Sequence, residues 1–135
     1  MKMGGYDKMD AGKKIRHYRE LDVYRLAFDA AMAIFDASKK FPTGEKFSLS
    51  SQIVRSSRSV CSNIAEAWRK RKYKAFFINK LTDSMSEASE TQTWLEFCHA
   101  CKYIDENFFK KLDSTYEVII AKLNTMERKA DTFCF

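Results

Sequence analysis

Apolar residues recur along most of the chain at intervals of three and four positions, the spacing that places side chains on one face of an α-helix. Four such stretches predict helices over residues 21–40, 48–69, 74–102 and from residue 105 to about 126. The core stripe of the first predicted helix consists of Tyr24, Ala27, Phe28, Ala31, Phe35 and Ser38. Those of the second and third consist of Leu49, Ile53, Ser56, Val60, Ile64 and Ala67, and of Phe77, Leu81, Ser84, Ala88, Thr91, Leu95 and Cys98. That of the fourth consists of Phe108, Leu112, Thr115, Ile119, Leu123 and Met126.

The links between these helices are short, and the chain has only one proline and four glycines among its 135 residues. Pro42 and Gly44 end the first helix, because proline disfavours helical angles in the residue before it and glycine frees the turn. Asp105 can cap the fourth helix by accepting hydrogen bonds from its first amides. Long helices with short links pack as antiparallel neighbours, so we predict an all-α, up-down-up-down four-helix bundle over residues 15–130. Residues 1–14 are predicted to be a flexible N-terminal tail, and residues 131–135 a C-terminal tail.

The helices also carry apolar residues outside these stripes. A contiguous apolar surface usually marks an interface, and most oligomers close by symmetry, so we predict a homo-oligomer, ring-shaped if the symmetry is cyclic. The alternative is that the core extends further around each helix than the stripes indicate. The candidate interface residues are Val54, Cys61, Trp68, Phe76, Trp94, Phe97, Phe109, Tyr116 and Ile120.

Positive charge is concentrated in the link between the second and third helices. The chain has a net charge of +6, and residues 68–74 alone carry five Lys/Arg and no acid, whereas residues 75–135 carry seven Lys/Arg against ten Asp/Glu. Lys and Arg neutralise phosphates without reading sequence, so this polarity favours a nucleic-acid ligand. The candidate phosphate-binding residues are Arg55, Arg58, Arg69, Lys70, Arg71, Lys72 and Lys74.

Two other interpretations of these charges stay open. The cluster could simply stabilise the negative end of the second helix dipole as a solvated surface. Alternatively, an acidic stripe on the third helix (Asp83, Glu87 and Glu90) could pair with Arg55 or Arg58 of a neighbouring subunit. Trp68 and Tyr73 could stack on bases, although the helical wheel places Tyr73 on the core side, where we expect it to pack.

The remaining chemistry predicts no enzyme. The CHAC sequence at residues 98–101 lies near a helix C-terminus, where the dipole does not activate a thiol, and no second ligand pair completes a zinc site. His17 and His99 have no nucleophile and acid at a triad spacing, and no glycine-rich phosphate loop is present. We therefore expect no catalytic residue, no metal, no cofactor and no small-molecule substrate. Without a secretory signal or a stretch of about 20 apolar residues, we expect a cytoplasmic protein with reduced cysteines and no membrane contact.

One stretch, QIVRSSRSVCSNIAEAW at residues 52–68, resembles the signature of the bacterial four-helix-bundle family encoded within 23S rRNA intervening sequences. The family pattern has an L-x-V-(W/Y) opening, then F-P, a Q-I-x-R-(A/S) run and an S-(I/V)-x-S-N-I-A-E block. The matching residues are Leu21, Val23, Tyr24, Phe41, Pro42, Gln52, Ile53, Arg55, Ser56, Ser59, Val60, Ser62, Asn63, Ile64, Ala65 and Glu66. Cys61 and Ala67 stand where proline and glycine are frequent, and both favour an unbroken second helix.

The resemblance, over roughly residues 20–125, implies an antiparallel bundle that assembles as a ring-shaped homopentamer. It also implies nucleic-acid binding, since the accessory protein of diversity-generating retroelements, a distant relative, is a basic pentameric barrel that binds nucleic acid and a reverse transcriptase. The family has no established catalytic residues. The sequence thus favours a non-enzymatic homo-oligomer that binds RNA or DNA. The rival hypothesis is a scaffold whose charged and apolar faces serve self-assembly or a protein partner.

Overall fold

The computed structural model describes residues 14–135 and shows four long helices packed against one another, with no strand in that range. The helices are α1 (Asp22–Ser38), α2 (Leu49–Arg69), α3 (Lys74–Ala100), α4 (Glu106–Arg128) and a short α5 (Ala130–Phe133). Each long helix packs against the next along the chain, and α1 closes the bundle against α4. The all-α bundle prediction is therefore confirmed. The predicted N-terminal tail lies outside the described residues except for Lys14.

Local capping explains where two of the helices begin. Asp105 accepts a 2.8 Å hydrogen bond from the Phe108 amide, as the sequence predicted. Glu45 stabilises the N-terminus of α2, because its carboxylate accepts hydrogen bonds from the Ser48 hydroxyl at 2.8 Å and the Leu49 amide at 3.4 Å. Its other oxygen accepts a 2.8 Å bond from the Tyr103 hydroxyl. One carboxylate thus joins the α1–α2 link to the α3–α4 link at the same end of the bundle.

The predicted core stripes of α2 and α3 are confirmed, because every one of their residues is buried. The stripe predicted for α1 is confirmed at Ala27 and Ala31, but its aromatic positions are wrong. The buried residues of α1 are Val23, Ala27, Ala30, Ala31 and Ile34. Phe28 is 48% exposed, and Tyr24 and Phe35 are only partly buried. Two apolar faces overlap on this helix, and the one with small side chains faces the core because it lets the helices approach closely.

Three of the predicted interface residues belong to the core of the chain instead. Cys61, Trp68 and Tyr116 are at most 8% exposed, so they offer no surface to a second subunit. The reason is that α2 packs against both α1 and α3, and α4 likewise packs against both α3 and α1, so each of these helices has a wide buried face. Of the other candidates, Phe76 and Phe97 are exposed. Those partly buried are Val54, Trp94, Phe109 and Ile120.

Small polar residues line the contact between α2 and α3. Ser56, Ser84 and Thr91 are fully buried. The Ser56 and Thr91 hydroxyls lie 2.8 Å apart, and the Ser84 hydroxyl donates a 2.8 Å bond to the Val60 carbonyl. Buried hydroxyls are costly unless hydrogen-bonded, so these bonds let small residues hold the two backbones close together.

The segment predicted as a C-terminal tail packs against the bundle. Its residues contribute to α5, whose Phe133 ring stacks on the buried Phe77 ring of α3 at a centroid distance of 6.0 Å. Asp131 forms a 2.6 Å ion pair with Lys74 at the start of α3. The end of the chain therefore lies beside the link between α2 and α3. Within residues 14–135, none of the helices combines the length and apolar character needed to cross a bilayer.

Candidate nucleic-acid interface

The basic link between α2 and α3 is a tight turn. α2 ends at Arg69, and the Lys70 amide donates to the carbonyls of Glu66 and Ala67 at 3.0 Å. The Tyr73 amide then donates to the Lys70 carbonyl at 2.8 Å, immediately before α3 begins at Lys74. Such a short turn places consecutive cations at one end of the bundle.

Arg71 has a structural role in this turn. Its guanidinium carbon lies 3.6 Å from the centre of the Trp68 ring, and its Nε donates a 2.8 Å hydrogen bond to the Trp68 carbonyl. Partial burial lowers the pKa of Arg71 below its ordinary value. A guanidinium held in this way fixes the turn and has little freedom to follow a ligand.

Two of the predicted phosphate-binding residues are paired with carboxylates of the same chain. Lys74 binds Asp131, whose hydrogen bond and charge raise the Lys74 pKa. Arg55 lies 2.7 Å from Glu90 and 3.5 Å from Glu87, both on α3. The acidic stripe thus binds Arg55 within the chain, rather than the arginine of a neighbouring subunit. Arg55 therefore already has two carboxylate partners within its own chain and is not among the unpaired cations.

Three cations of the turn keep their charge unpaired. Arg69, Lys70 and Lys72 have no carboxylate within ion-pair distance anywhere in residues 14–135. Each lies near an aromatic ring instead. Arg69 is 5.6 Å from the Tyr18 ring centre, Lys70 is 5.6 Å from that of Phe76, and Lys72 is 5.9 Å from that of Tyr73. Cation–π contacts leave the charge available to a second, anionic partner.

The segment before α1 adds a further cation that the sequence analysis missed. Arg19 lies 5.1 Å from the Tyr18 ring centre, on which Arg69 also lies. The guanidinium nitrogens of both arginines are 3.4 Å from His17 Nε2. The up-down topology could have revealed this contact, because it places the start of the first helix beside the end of the second. We call Arg19, Arg69, Lys70 and Lys72 the basic corner.

Arg58 is not part of the basic corner. It is eleven residues before Arg69 on α2, about 16 Å along the helix at 1.5 Å per residue. Its guanidinium carbon lies 5.2 Å from the Phe35 ring centre, at a groove of about 490 Å³ between α1 and α2. Phe28 and Met32 line this groove and are 48% and 43% exposed. The structure therefore separates Arg58 from the cluster with which the sequence grouped it.

The aromatic residues at the turn differ from the prediction. Trp68 is buried under Arg71 and cannot stack on a base. Tyr73 was expected to pack in the core but is 54% exposed, and Phe76 is 56% exposed. Tyr73 precedes the first turn of α3 with an extended backbone, φ −120° and ψ 98°, so the helical wheel does not apply to it. The corner thus combines free cations with free aromatic rings.

Two of the four thiols, Cys61 and Cys98, are buried, and both imidazoles contact neighbouring side chains. Cys98 is buried, and burial raises its pKa to about 12. Cys101, three residues on, is exposed. The His99 ring stacks on Phe109 at a centroid distance of 4.7 Å. Within residues 14–135, no three His, Cys, Asp or Glu side chains are grouped to hold a metal ion. The arrangement of the basic corner is suited to binding anions.

A solved structure and a sequence family that are similar to this chain support the helical-bundle fold. The chain is similar to the crystal structure of a protein of unknown function from the S23 ribosomal protein family of Bacteroides thetaiotaomicron, with 30% sequence identity and a TM-score of 0.71. The match covers 79% of this chain and 96% of that one. No curated protein matches the chain. The sequence model of the 23S rRNA-intervening sequence protein matches residues 19–125, and the chain belongs to that family.

Proposed function

We propose that the protein is a non-enzymatic, homo-oligomeric helical bundle that binds nucleic acid through its basic corner, with RNA as the first candidate ligand. One observation carries the proposal. Arg69, Lys70 and Lys72 have no carboxylate partner in residues 14–135, although the same chain pairs Arg55 and Lys74 closely with acids. Charges left unpaired at one end of a bundle are available to an external polyanion.

The physics of phosphate binding fits this corner. Each phosphate neutralised by Lys or Arg releases condensed counterions, which gives affinity without sequence preference. The corner is formed by a turn that Arg71 fixes against Trp68, so its cations are held near one another before a ligand arrives. The family's association with 23S rRNA intervening sequences supports RNA as the ligand.

Self-association would multiply this modest site. Phe28 and Met32 on α1 and Phe97 on α3 are 43–53% exposed, and apolar surface of this kind usually serves an interface. A ring, with five subunits as the family resemblance implies, would repeat the basic corner around its axis and bind a long strand at several points. Sedimentation equilibrium or light scattering of the purified chain measures the subunit number. A monomer at micromolar concentration would contradict this part of the proposal.

The alternative is a protein-interaction scaffold with no nucleic-acid role. The groove between α1 and α2 favours it, because Phe28 and Met32 line the groove with apolar surface for a partner helix, and Arg58 and Glu66 add a charge of each sign to its lining. Under this alternative, the basic corner would be a solvated helix end that contributes no binding.

A salt titration separates the two candidates. We would measure the affinity of the protein for a labelled, structured rRNA fragment by fluorescence anisotropy at a series of salt concentrations. Phosphate binding predicts that log K falls linearly with log[salt], with a slope of about −0.7 to −0.9 for each phosphate engaged. A variant with Arg69→Gln, Lys70→Gln and Lys72→Gln should therefore flatten the slope by about 2–3 units for each corner engaged.

The matched control carries Lys102→Gln, Lys110→Gln and Lys111→Gln at the opposite end of the bundle. It loses the same formal charge but leaves the basic corner intact, so it should retain nearly the wild-type slope. Equal losses in both variants would show that only net charge matters and would contradict the assignment to this corner. No binding by the wild type at low salt would favour the scaffold.

A further inference from the structure

Two large aromatic side chains that are about half exposed lie among the cations of the basic corner. Tyr73 and Phe76 are 54% and 56% exposed, and their ring centroids are 6.0 Å apart with the planes at 86°. Lys72 lies 5.9 Å from the first ring centre and Lys70 lies 5.6 Å from the second. Each exposed ring therefore has its own cation over one face.

We propose that the basic corner recognises unpaired nucleotides, whose bases stack on Tyr73 and Phe76 while Lys72 and Lys70 neutralise the adjacent phosphates. This inference rests on the proposed function and specifies the class of its ligand. An aromatic ring beside a cation can bind both the base and the phosphate of one nucleotide, and such stacking is insensitive to base identity because every base has a π-face.

The arrangement of the rings selects single strands over duplexes. In a duplex the base faces are covered by their neighbours, and the grooves present base edges and sugar hydroxyls. Two rings at nearly a right angle cannot both join one continuous base stack. They suit two bases that are splayed apart, as in a loop, a bulge or an unstructured strand.

The charges also argue against a second copy of this chain as the occupant. Two basic corners brought face to face would place the Lys70 and Lys72 ammonium groups of both copies together, and like charges oppose such contact. A polyanion supplies the complementary charge. An acidic protein segment could also do so, and a glutamate polymer therefore belongs in the test.

The test compares an unstructured RNA strand with the duplex that it forms with its complement, by anisotropy at one fixed salt concentration. The variant is Tyr73→Leu with Phe76→Leu, which keeps apolar bulk but removes both π-faces. We expect its affinity for the strand to fall roughly 5- to 150-fold for each base released. Its salt slope should not change, because no charge is altered, and its affinity for the duplex should stay within about twofold of the wild-type value.

Matched variants separate stacking from general damage. Phe47→Leu removes an aromatic ring that is 87% exposed in the α1–α2 link at the opposite end of the bundle, with Lys46 5.4 Å from its centre, so it should bind the strand like the wild type. Tyr73→Phe keeps the π-face and should also bind normally. Circular dichroism of each variant checks that the helices are intact.

The outcomes distinguish a failure of base stacking from a failure of the proposed nucleic-acid binding. If the double leucine variant binds the strand as tightly as the wild type while Lys70→Gln with Lys72→Gln weakens both RNAs, stacking is refuted and phosphate binding stands. If the leucine variant loses strand and duplex equally, or if poly-glutamate competes as well as the strand does, the single-strand assignment is also refuted. If the wild type binds neither RNA at low salt, the proposed function itself fails.

Discussion

A single oxygen atom in the core provides a sharp test of the packing. Tyr116 on α4 is completely buried, and its hydroxyl has no hydrogen-bond partner among residues 14–135. Burial, with a smaller contribution from Cys61, raises the pKa of Tyr116, so the group stays protonated across the working range. Tyr116→Phe removes only the oxygen and keeps the ring that fills the core.

The expected effect is stabilising. A buried hydroxyl without a partner costs about 1–3 kcal/mol of desolvation. The phenylalanine variant is relieved of that cost and loses no hydrogen bond. The free energy of unfolding should therefore rise by about 1 kcal/mol or more, and a domain of this size should gain about 3–5 °C in Tm per kcal/mol.

Guanidinium unfolding followed by circular dichroism measures the change, and the chain offers a matched control. Tyr103→Phe is the same chemical substitution, but the Tyr103 hydroxyl donates a 2.8 Å bond to Glu45, so that variant should be destabilised. Opposite signs for the two variants are the expected result. A loss of stability in Tyr116→Phe would refute the reasoning, because it would mean that the hydroxyl has a bonding partner in solution. If Tyr116→Phe changed the number of subunits, Tyr116 would have to lie at the subunit interface predicted from the sequence.

Two further predictions concern the ends and the middle of the bundle. Glu45→Gln should lower stability near neutral pH, because the Tyr103 hydrogen bond, followed by that of Ser48, lowers the Glu45 pKa below its ordinary value of 4.5. This stabilisation is fully present above pH 4.5 and is lost as pH falls through the lower folded-state pKa. The Tm difference between the wild type and Glu45→Gln should therefore vanish in acid. A difference that persists at low pH would show that the ionised carboxylate is not its cause. Ser84→Leu should lower the free energy of unfolding, measured with denaturant, by about 1–3 kcal/mol, because the larger side chain overpacks the contact with Val60. If this variant were as stable as the wild type, α2 and α3 would have to lie further apart than described.

The bundle could be predicted from sequence wherever one helical face was clearly more apolar than the others. α3 is apolar on several sides, yet the regular alternation of four- and three-residue spacings from Phe77 to Cys98 placed its stripe correctly. α2 met the condition, although its buried face also includes Ser57, Cys61 and Trp68. α1 did not, because the aromatic face through Phe28 competes with the alanine face through Ala27 and Ala30. Hydrophobicity alone favours the larger rings, whereas the close approach of helices favours the small side chains, and only the assembled fold decides between them.

The candidate site was predictable only where it is contiguous in the chain. Lys70 and Lys72 stand out because they are neighbours in one charged run. The neutralisation of Arg55 by Glu90 depends on the rotation of α2 against α3, and the approach of Arg19 to Arg69 depends on the closure of the bundle. The exposure of Tyr73 depends on its position just before a helix, where a periodic pattern carries no information.

The hydroxyl-lined contact between α2 and α3 bears on how the protein opens. Ser56–Thr91, Ser84–Val60 and the ion pair between Arg55 and Glu90 all cross this contact, whereas α1 is held by small side chains and, within residues 14–135, by one ion pair to another long helix. Local fluctuations should therefore release α1 first, and the amides of the α2–α3 hairpin should exchange with deuterium last. The turn that presents Lys70 and Lys72 would then stay folded through the fluctuations that expose the rest of the core.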